Sequence, residues 1–98
     1  MIRHLIVFNI RDGATHEECL AMAEHGRIVL ARIPGVLQVS FGVALVQTAR
    51  YRYNFTIDLE NEQAVQQYQV HPLHVAFADE HFRPLAPDRI TIDYQLHY

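Results

Sequence analysis

The sequence predicts an α+β fold of the ferredoxin-like type, in which a four-stranded antiparallel sheet carries helices on one face. One observation is that segments of strand and helix periodicity follow one another in the order β-α-β-β-α-β, with the second helix broken in two. Another is that the first strand is apolar on both faces, although helices can cover only one face of such a sheet. A chain of 98 residues has the size of one domain, so we expect residues 1–98 to form a single domain.

The first predicted strand, residues 1–11, has two apolar faces. One face carries His4 and Phe8 among isoleucines, and the other carries Leu5 and Val7. An apolar face left in water is typical of an interaction surface. We therefore expect a homodimer in which the open sheet face packs on the same face of a second copy. The alternative is a monomer whose open face is only half apolar.

Caps and helix breakers mark the remaining elements. Thr15 and Glu18 have the spacing of a capping box at the start of the first helix. Gly26 inside that helix indicates a close approach to the sheet. Pro72 suits the first position of a later short helix. The further predicted strands are residues 36–47, 51–59 and 89–98, and the predicted helices run from about 15 to 33, 61 to 69 and 72 to 80.

Charge and hydropathy favour a cytoplasmic protein without a nucleic-acid or membrane partner. The net charge is −3, and the eight basic residues, all arginine, are scattered along the chain. A nucleic-acid binder normally carries a basic stripe, because phosphate contacts supply much of its affinity. No apolar run approaches the roughly 20 residues that cross a bilayer. The single cysteine, Cys19, excludes an intramolecular disulfide.

Over nearly its whole length the chain resembles the stress-responsive A/B-barrel (Dabb) family of the dimeric α+β barrel superfamily. The most specific similarity is a tyrosine followed by His-Pro-x-His, in residues 68–74. The resemblance implies a dimer whose two sheets form a barrel with the helices outside. Supporting similarities are Ile2-Arg3-His4-Leu5-Ile6-Val7-Phe8, Ile33-Pro34-Gly35-Val36, Phe55-Thr56-Ile57-Asp58-Leu59 and Asp93-Tyr94.

The resemblance also implies candidate catalytic residues. Most members of the family have unknown function or are described only as stress-induced. A plant relative that is similar in the motif cyclises a linear polyketide to an aromatic acid, and its motif tyrosine and second histidine act as an acid–base pair. Those positions correspond to Tyr68 and His74 here, and the histidine of the first strand corresponds to His4.

A tyrosine–histidine pair beside an apolar pocket suits the removal of a proton next to a carbonyl group. The histidine takes the proton while the phenol donates to the developing enolate. We expect a polyketide cyclase-like, isomerase or lyase reaction on an apolar carbonyl compound, with His4 orienting a substrate oxygen. The expected substrate-binding residues are His71, Phe77 and Phe8. This chemistry requires no cofactor, and none is expected.

Other uses of the same residues remain open. The protein can be a non-catalytic stress-response dimer or bind a small hydrophobic ligand, with Tyr68 and His74 hydrogen-bonded to each other and to the backbone. His4 can be a core histidine satisfied by polar neighbours. A haem-dependent monooxygenase is a further alternative. A metal site is not expected, because no standard zinc or facial-triad spacing is found among His71, His74, Asp79, Glu80 and His81.

Overall fold

The computed structural model describes residues 1–98 and has the predicted ferredoxin-like fold. Its antiparallel sheet has the strand order β2-β3-β1-β4, which confirms the predicted class. No helix has both the length and the apolar character needed to span a membrane. The strands are β1 (Ile2–Asn9), β2 (Val36–Val43), β3 (Tyr53–Leu59) and β4 (Asp88–Gln95). The helices are α1 (His16–Leu30), α2 (Glu62–Val70) and α3 (Pro72–Phe77), and a π-helical turn (Ala78–Phe82) continues α3.

The first two helices begin at side-chain caps. Thr15 accepts a hydrogen bond from the backbone N–H of Glu18 at 3.1 Å. The Glu18 carboxylate lies 3.7 Å from the Arg11 guanidinium and does not return a bond to the Thr15 backbone, so only half of the expected capping box forms. Asn61 caps α2 by accepting from the Ala64 backbone N–H at 2.9 Å. These caps satisfy backbone donors that have no partner within the helix.

The core lies between the helices and one face of the sheet. Strand β3 lies inside the sheet, and its alternate side chains Tyr53, Phe55, Ile57 and Leu59 are buried. Phe8 on β1 is fully buried and packs edge-on against Phe82, with 5.1 Å between the ring centroids. His4 lies on the same face of β1 and is also buried. The helix-facing side of β1 thus carries one imidazole among apolar neighbours.

Strand β2 differs from the prediction in register and in length. The pairing with β3 shifts after Val36, so Leu37 bulges out of the ladder and is 54% exposed. A bulge places two residues opposite one and leaves the extra residue unpaired, so the regular alternation of sides is interrupted there. The strand ends at Val43, so Leu45 lies in the following loop and is almost fully exposed. Regular alternation along residues 36–47 predicts that Leu37 and Leu45 share the side of Val39, which is buried, and the exposure of both leucines shows that this prediction is wrong.

Gly26 marks a close approach to helix α3 rather than to the sheet. A β-carbon at position 26 would overlap the ring of Phe77. Phe77 also packs edge-on against Phe55 of the sheet, at a centroid distance of 6.2 Å. Its ring thus lies between α1 and the sheet. Because His74 is on the same short helix, this packing sets where His74 lies over the sheet.

The sheet face opposite the helices is left uncovered. On this face Leu5 lies beside Ile92 of the edge strand, and Val7 lies beside Ile90. Ile90, Ile92 and Tyr94 are between 43 and 46% exposed. The open face therefore presents an apolar band along β1 and β4, as the two-faced pattern of the first strand predicts.

Candidate functional site

The interruption between α2 and α3 brings Tyr68 and His74 together. His71 has an extended backbone, and its Nδ1 accepts a hydrogen bond from the backbone N–H of Leu73 at 3.1 Å, which caps α3. Pro72 follows at the first helical position, where the missing N–H has no cost. After this turn the rings of Tyr68 and His74 lie 4.3 Å apart between centroids, with 35° between their planes.

His4 reaches the same cluster from the sheet. The strand register places it opposite Asp93 on β4, and its Nδ1 lies 2.5 Å from Asp93 Oδ1. A carboxylate can only accept a hydrogen bond, so Nδ1 is the donor. The His4 ring also lies 5.8 Å from the Tyr68 ring between centroids. The fold thus groups His4, Tyr68 and His74, and it adds Asp93 as the partner of His4.

The hydrogen bond of His74 fixes which of its nitrogens is free. Its Nδ1 lies 3.1 Å from the backbone carbonyl oxygen of Gln69. Because a carbonyl can only accept, Nδ1 carries the proton and Nε2 of the neutral ring keeps its lone pair. Burial lowers the pKa of His74 below its ordinary value, although the bond to Gln69 opposes this shift. At neutral pH the ring is therefore neutral and can accept a proton at Nε2.

Tyr68 has the opposite protonation preference. Its ring is only 2% exposed, and burial, with a smaller effect of the Asp93 charge, raises the pKa of its phenol well above the ordinary value. The phenol therefore stays protonated and acts as a donor. Its hydroxyl has no hydrogen-bond partner within the chain, yet no buried polar side-chain atom is left unsatisfied. The hydroxyl oxygen is therefore not fully enclosed by the chain.

A cleft of about 380 Å³ opens between the helical layer and the edge of the sheet. His4 and His74 both line it. Tyr68 is not in its wall but lies directly behind, in ring contact with both histidines. The cleft thus has two imidazoles in its wall and a phenol beside it. Its other lining residues are Ile6, Gln69, Ala78, Phe82, Arg83, Arg89 and Thr91.

The residues that we expected to bind substrate do not line this cleft. His71 uses its ring nitrogen to cap α3. Phe77 is buried between α1 and the sheet, and Phe8 is buried beneath Phe82. The structure brings the three expected catalytic residues together. Of the expected substrate-binding residues, one caps α3 and two lie in the core.

Several polar residues at the site were missed from the sequence alone. Arg89, Thr91 and Asp93 alternate along β4 with exposed apolar residues, so they are typical of a solvent-facing row. Only the pairing of β4 with β1 places Asp93 beside His4. Arg83 follows the π-helical turn, whose geometry helical periodicity does not reveal. No signal in the sequence marked the two arginines.

The histidines between positions 71 and 81 do not converge. His81 is turned away from His74 and packs against His25, with 4.8 Å between ring centroids. This pair borders a second, more open groove of about 490 Å³, which includes neither Tyr68 nor His74. No three histidine, cysteine or carboxylate side chains lie close enough together to hold a metal ion.

Comparisons with known proteins agree with this architecture. The sequence profile of the stress-responsive A/B barrel (Dabb) domain matches residues 2–96. No curated protein matches the chain in sequence. A Dabb family protein with a ferredoxin-like fold from Mesorhizobium loti is 25% identical, with a TM-score of 0.85 over 99% of this chain and 97% of that one.

Two further solved structures extend the comparison. A dimeric ferredoxin-like protein of unknown function from Thermobifida fusca is 28% identical, with a TM-score of 0.83 over 97% of this chain and 90% of that one. The hydroxynitrile lyase of Passiflora edulis has a TM-score of 0.83 at 14% identity, over 98% of this chain and 93% of that one. At so low an identity the likeness shows the fold alone.

Proposed function

Because this chain belongs to the stress-responsive A/B barrel (Dabb) family, we propose that it is a dimeric α+β barrel enzyme that uses Tyr68 and His74 for proton transfer on a carbonyl compound. The observation that carries the proposal is the cleft beside the pair, because His74 lines it and is held there by Gln69 with Nε2 unprotonated. A base in a walled cleft, with a protonated phenol behind it, suits acid–base chemistry on a bound ketone.

The reaction begins with removal of a proton from the carbon next to the carbonyl group. His74 Nε2 takes this proton, and the electron pair of the C–H bond forms the carbon–carbon double bond of an enolate. The negative charge moves to the carbonyl oxygen. Tyr68 packs on His74 but does not line the cleft, so its hydroxyl must gain access to the cleft to donate to this oxygen. In a cyclisation the enolate carbon attacks a second carbonyl, whose π electrons move to its oxygen, and this alkoxide takes the proton from His74. In an isomerisation His74 returns the proton to a different atom of the enolate.

His4 orients the carbonyl oxygen. Asp93 holds the His4 ring by accepting from Nδ1, so Nε2 is the nitrogen available to a ligand. An imidazolium in this position would be paired with the Asp93 carboxylate and would donate from Nε2 to the oxygen. A carboxylate behind a histidine fixes the orientation and tautomer of the ring. Asp93 is therefore a positioning residue that acts through His4.

The open sheet face forms the homodimer interface. Its apolar band of Leu5, Val7, Ile90 and Ile92 is partly exposed in a single chain, and burial against the same band of a second copy removes it from water. The similar structure from Thermobifida fusca is described as dimeric, which supports a dimer. His4 points to the opposite face of β1, so the dimer leaves the cleft accessible.

A non-catalytic dimer is the second candidate, and the burial of Tyr68 favours it. A phenol that is 2% exposed and packs on His74 can serve chiefly to hold the joint between α2 and α3. In that case the cleft either binds a small hydrophobic ligand without changing it chemically or binds no ligand. The two candidates differ in whether the protein exchanges protons on a bound ketone.

The test is hydrogen–deuterium exchange at the carbons next to the carbonyl of 2-nonanone in deuterated buffer, followed by NMR. We expect the wild-type protein to accelerate exchange, and His74→Ala to slow it by about a hundredfold or more. The control is Val75→Ala, an exposed position on the same helix, which should retain the wild-type rate. Equal rates in wild type and a folded His74→Ala would overturn the proposal. Ketone binding by the wild type without any exchange would overturn it in favour of the non-catalytic dimer.

A further inference from the structure

The cleft is cationic. Arg83 and Arg89 line it together with His4 and His74, and none of its lining residues carries a carboxylate. One N–H of Arg83 is already bonded to Asp79 at 2.5 Å, one helical turn away. Arg89, by contrast, forms no ion pair with any carboxylate of the chain. The positive charge of Arg89 therefore has no counterion inside the cleft.

The backbone holds Arg89 in place. One terminal nitrogen of its guanidinium donates to the carbonyl oxygen of Ala86 at 2.8 Å. This bond uses one of the five N–H groups of the side chain, so the others remain available. A planar guanidinium held in one orientation suits two-point binding of a carboxylate. Arg89 thus has the features of a preformed anion site.

The strand geometry sets the distance between this anion site and the reacting groups. Arg89, Thr91 and Asp93 alternate along β4, so all three face the helices. Four residues of extended strand span roughly 13 Å, and His4 lies opposite Asp93. A ligand that reaches from the Arg89 guanidinium to the imidazoles is therefore on the order of 10 Å long. Between the two ends the wall is apolar, formed by Ile6, Ala78 and Phe82.

We propose that the cleft binds an oxo acid, a chain with a carboxylate at one end, methylene groups in the middle and a ketone near the other end. Arg89, assisted by Arg83, holds the carboxylate, and the methylene groups lie along Ile6 and Phe82. The ketone end meets His4 and His74. This inference rests on the proposed function for the ketone end and names the substrate class of that site. The carboxylate end depends only on the arginines.

The test compares two probes that differ in charge and have nearly the same shape. They are 8-oxononanoate, which carries the methyl ketone of 2-nonanone at one end and a carboxylate at the other, and its neutral amide 8-oxononanamide. Titration calorimetry at neutral pH should give a dissociation constant about tenfold lower for the acid, because a charge-assisted bond replaces a neutral one. Equal affinities for the acid and the amide would overturn the inference.

Three variants at two arginines show whether the preference for the acid comes from the cleft. Arg89→Gln should lose most of the preference for the acid, because only Arg83 then remains to hold the carboxylate. The matched control is Arg52→Gln, because Arg52 also donates to a backbone carbonyl and has no carboxylate partner, but lies outside the cleft. Arg52→Gln should keep the full preference for the acid over the amide. The inference would be overturned if a folded Arg89→Gln kept the full preference for the acid over the amide. It would also be overturned if Arg52→Gln lost this preference to the same extent as Arg89→Gln. Arg89→Lys keeps the charge and should keep part of the preference.

Proton exchange on the same probes separates this inference from the proposed function. If the wild type binds the acid through Arg89 but exchanges no protons, the proposed function fails while the anion site stands. If the wild type exchanges protons on both probes but binds the acid and the amide with equal affinity, the anion site fails while the proposed function stands.

Discussion

The ring of Tyr68 lies 4.3 Å from the ring of His74, centroid to centroid, because the helix that would connect them is interrupted. In a continuous α-helix, residues six positions apart are rotated by about 240° around the axis and point to different sides. The extended residue His71 and the proline after it change the chain direction between α2 and α3. The break in the helix therefore creates the pair.

The pKa of His74 should be below the ordinary histidine value of 6.5, because burial penalises the charged ring. His74 is then neutral at pH 7, and the exchange rate should fall only when the pH drops below 6.5 and the ring gains a proton. The measurement is an NMR titration of the His74 ring proton. A midpoint above 6.5 would contradict the lowered pKa that burial of the ring predicts.

The same shift makes His74 destabilise the fold in acid. Its folded-state pKa is lowered, so the unfolded chain takes up the proton first as the pH falls below 6.5. The free energy of unfolding should therefore decrease in this range, and the decrease should be smaller in His74→Gln, which cannot be protonated. Urea denaturation at several pH values measures this difference.

Asp93→Asn should slow proton exchange by about ten- to a hundredfold. The variant keeps an oxygen that can accept from His4 but removes the negative charge behind the imidazole. We expect the loss in kcat, with little change in KM or melting temperature. Asp88→Asn is the control on the same strand, because Asp88 pairs with the exposed Arg50 at 2.9 Å. Equal rates for Asp93→Asn and the wild type would remove Asp93 from the mechanism.

Gly26→Ala should destabilise the protein by about 1–3 kcal/mol, although alanine is the better helix former. The added methyl group would overlap the Phe77 ring, which has no free space in the core. Thermal unfolding measures the effect. The double variant Gly26→Ala/Phe77→Leu should lose less than the sum of the two single variants, because leucine lacks the ring atoms that meet the methyl group. Strict additivity would mean that the two residues do not interact.

Ile92→Arg should convert the proposed dimer to a monomer. Ile92 lies beside Leu5 in the apolar band of the open sheet face, and a buried arginine without a partner there is strongly unfavourable. The control Ile28→Arg changes an isoleucine of α1 that is 57% exposed and should leave the dimer intact. Sedimentation velocity gives the mass of each species. An Ile92→Arg protein that remains dimeric would place the interface elsewhere.

The sequence was sufficient for features that depend on local patterns. Alternation and helical periodicity predicted the element order, and the two apolar faces of β1 predicted the open face. Proline at position 72 predicted the break after which Tyr68 and His74 meet. Each of these depends on residues that are close together in the chain.

Features that depend on strand register or on long-range packing could not be predicted. Leu37 keeps the alternation of its strand, so nothing local reveals the bulge that turns it outward. Arg89 and Asp93 have the spacing of a solvent-facing row, and only the antiparallel pairing with β1 places them beside the cleft. Gly26 signalled a close contact, but not that its partner is Phe77.

The central claim, that Tyr68 and His74 act as one unit on a bound ketone, is tested most directly by a double-mutant cycle on the rate of proton exchange. Tyr68→Phe and His74→Ala should each slow exchange on 2-nonanone, and the double variant should be about as slow as the slower single variant, because groups that act together are lost together. Losses that multiply, or single variants that exchange as fast as the wild type, would contradict the claim.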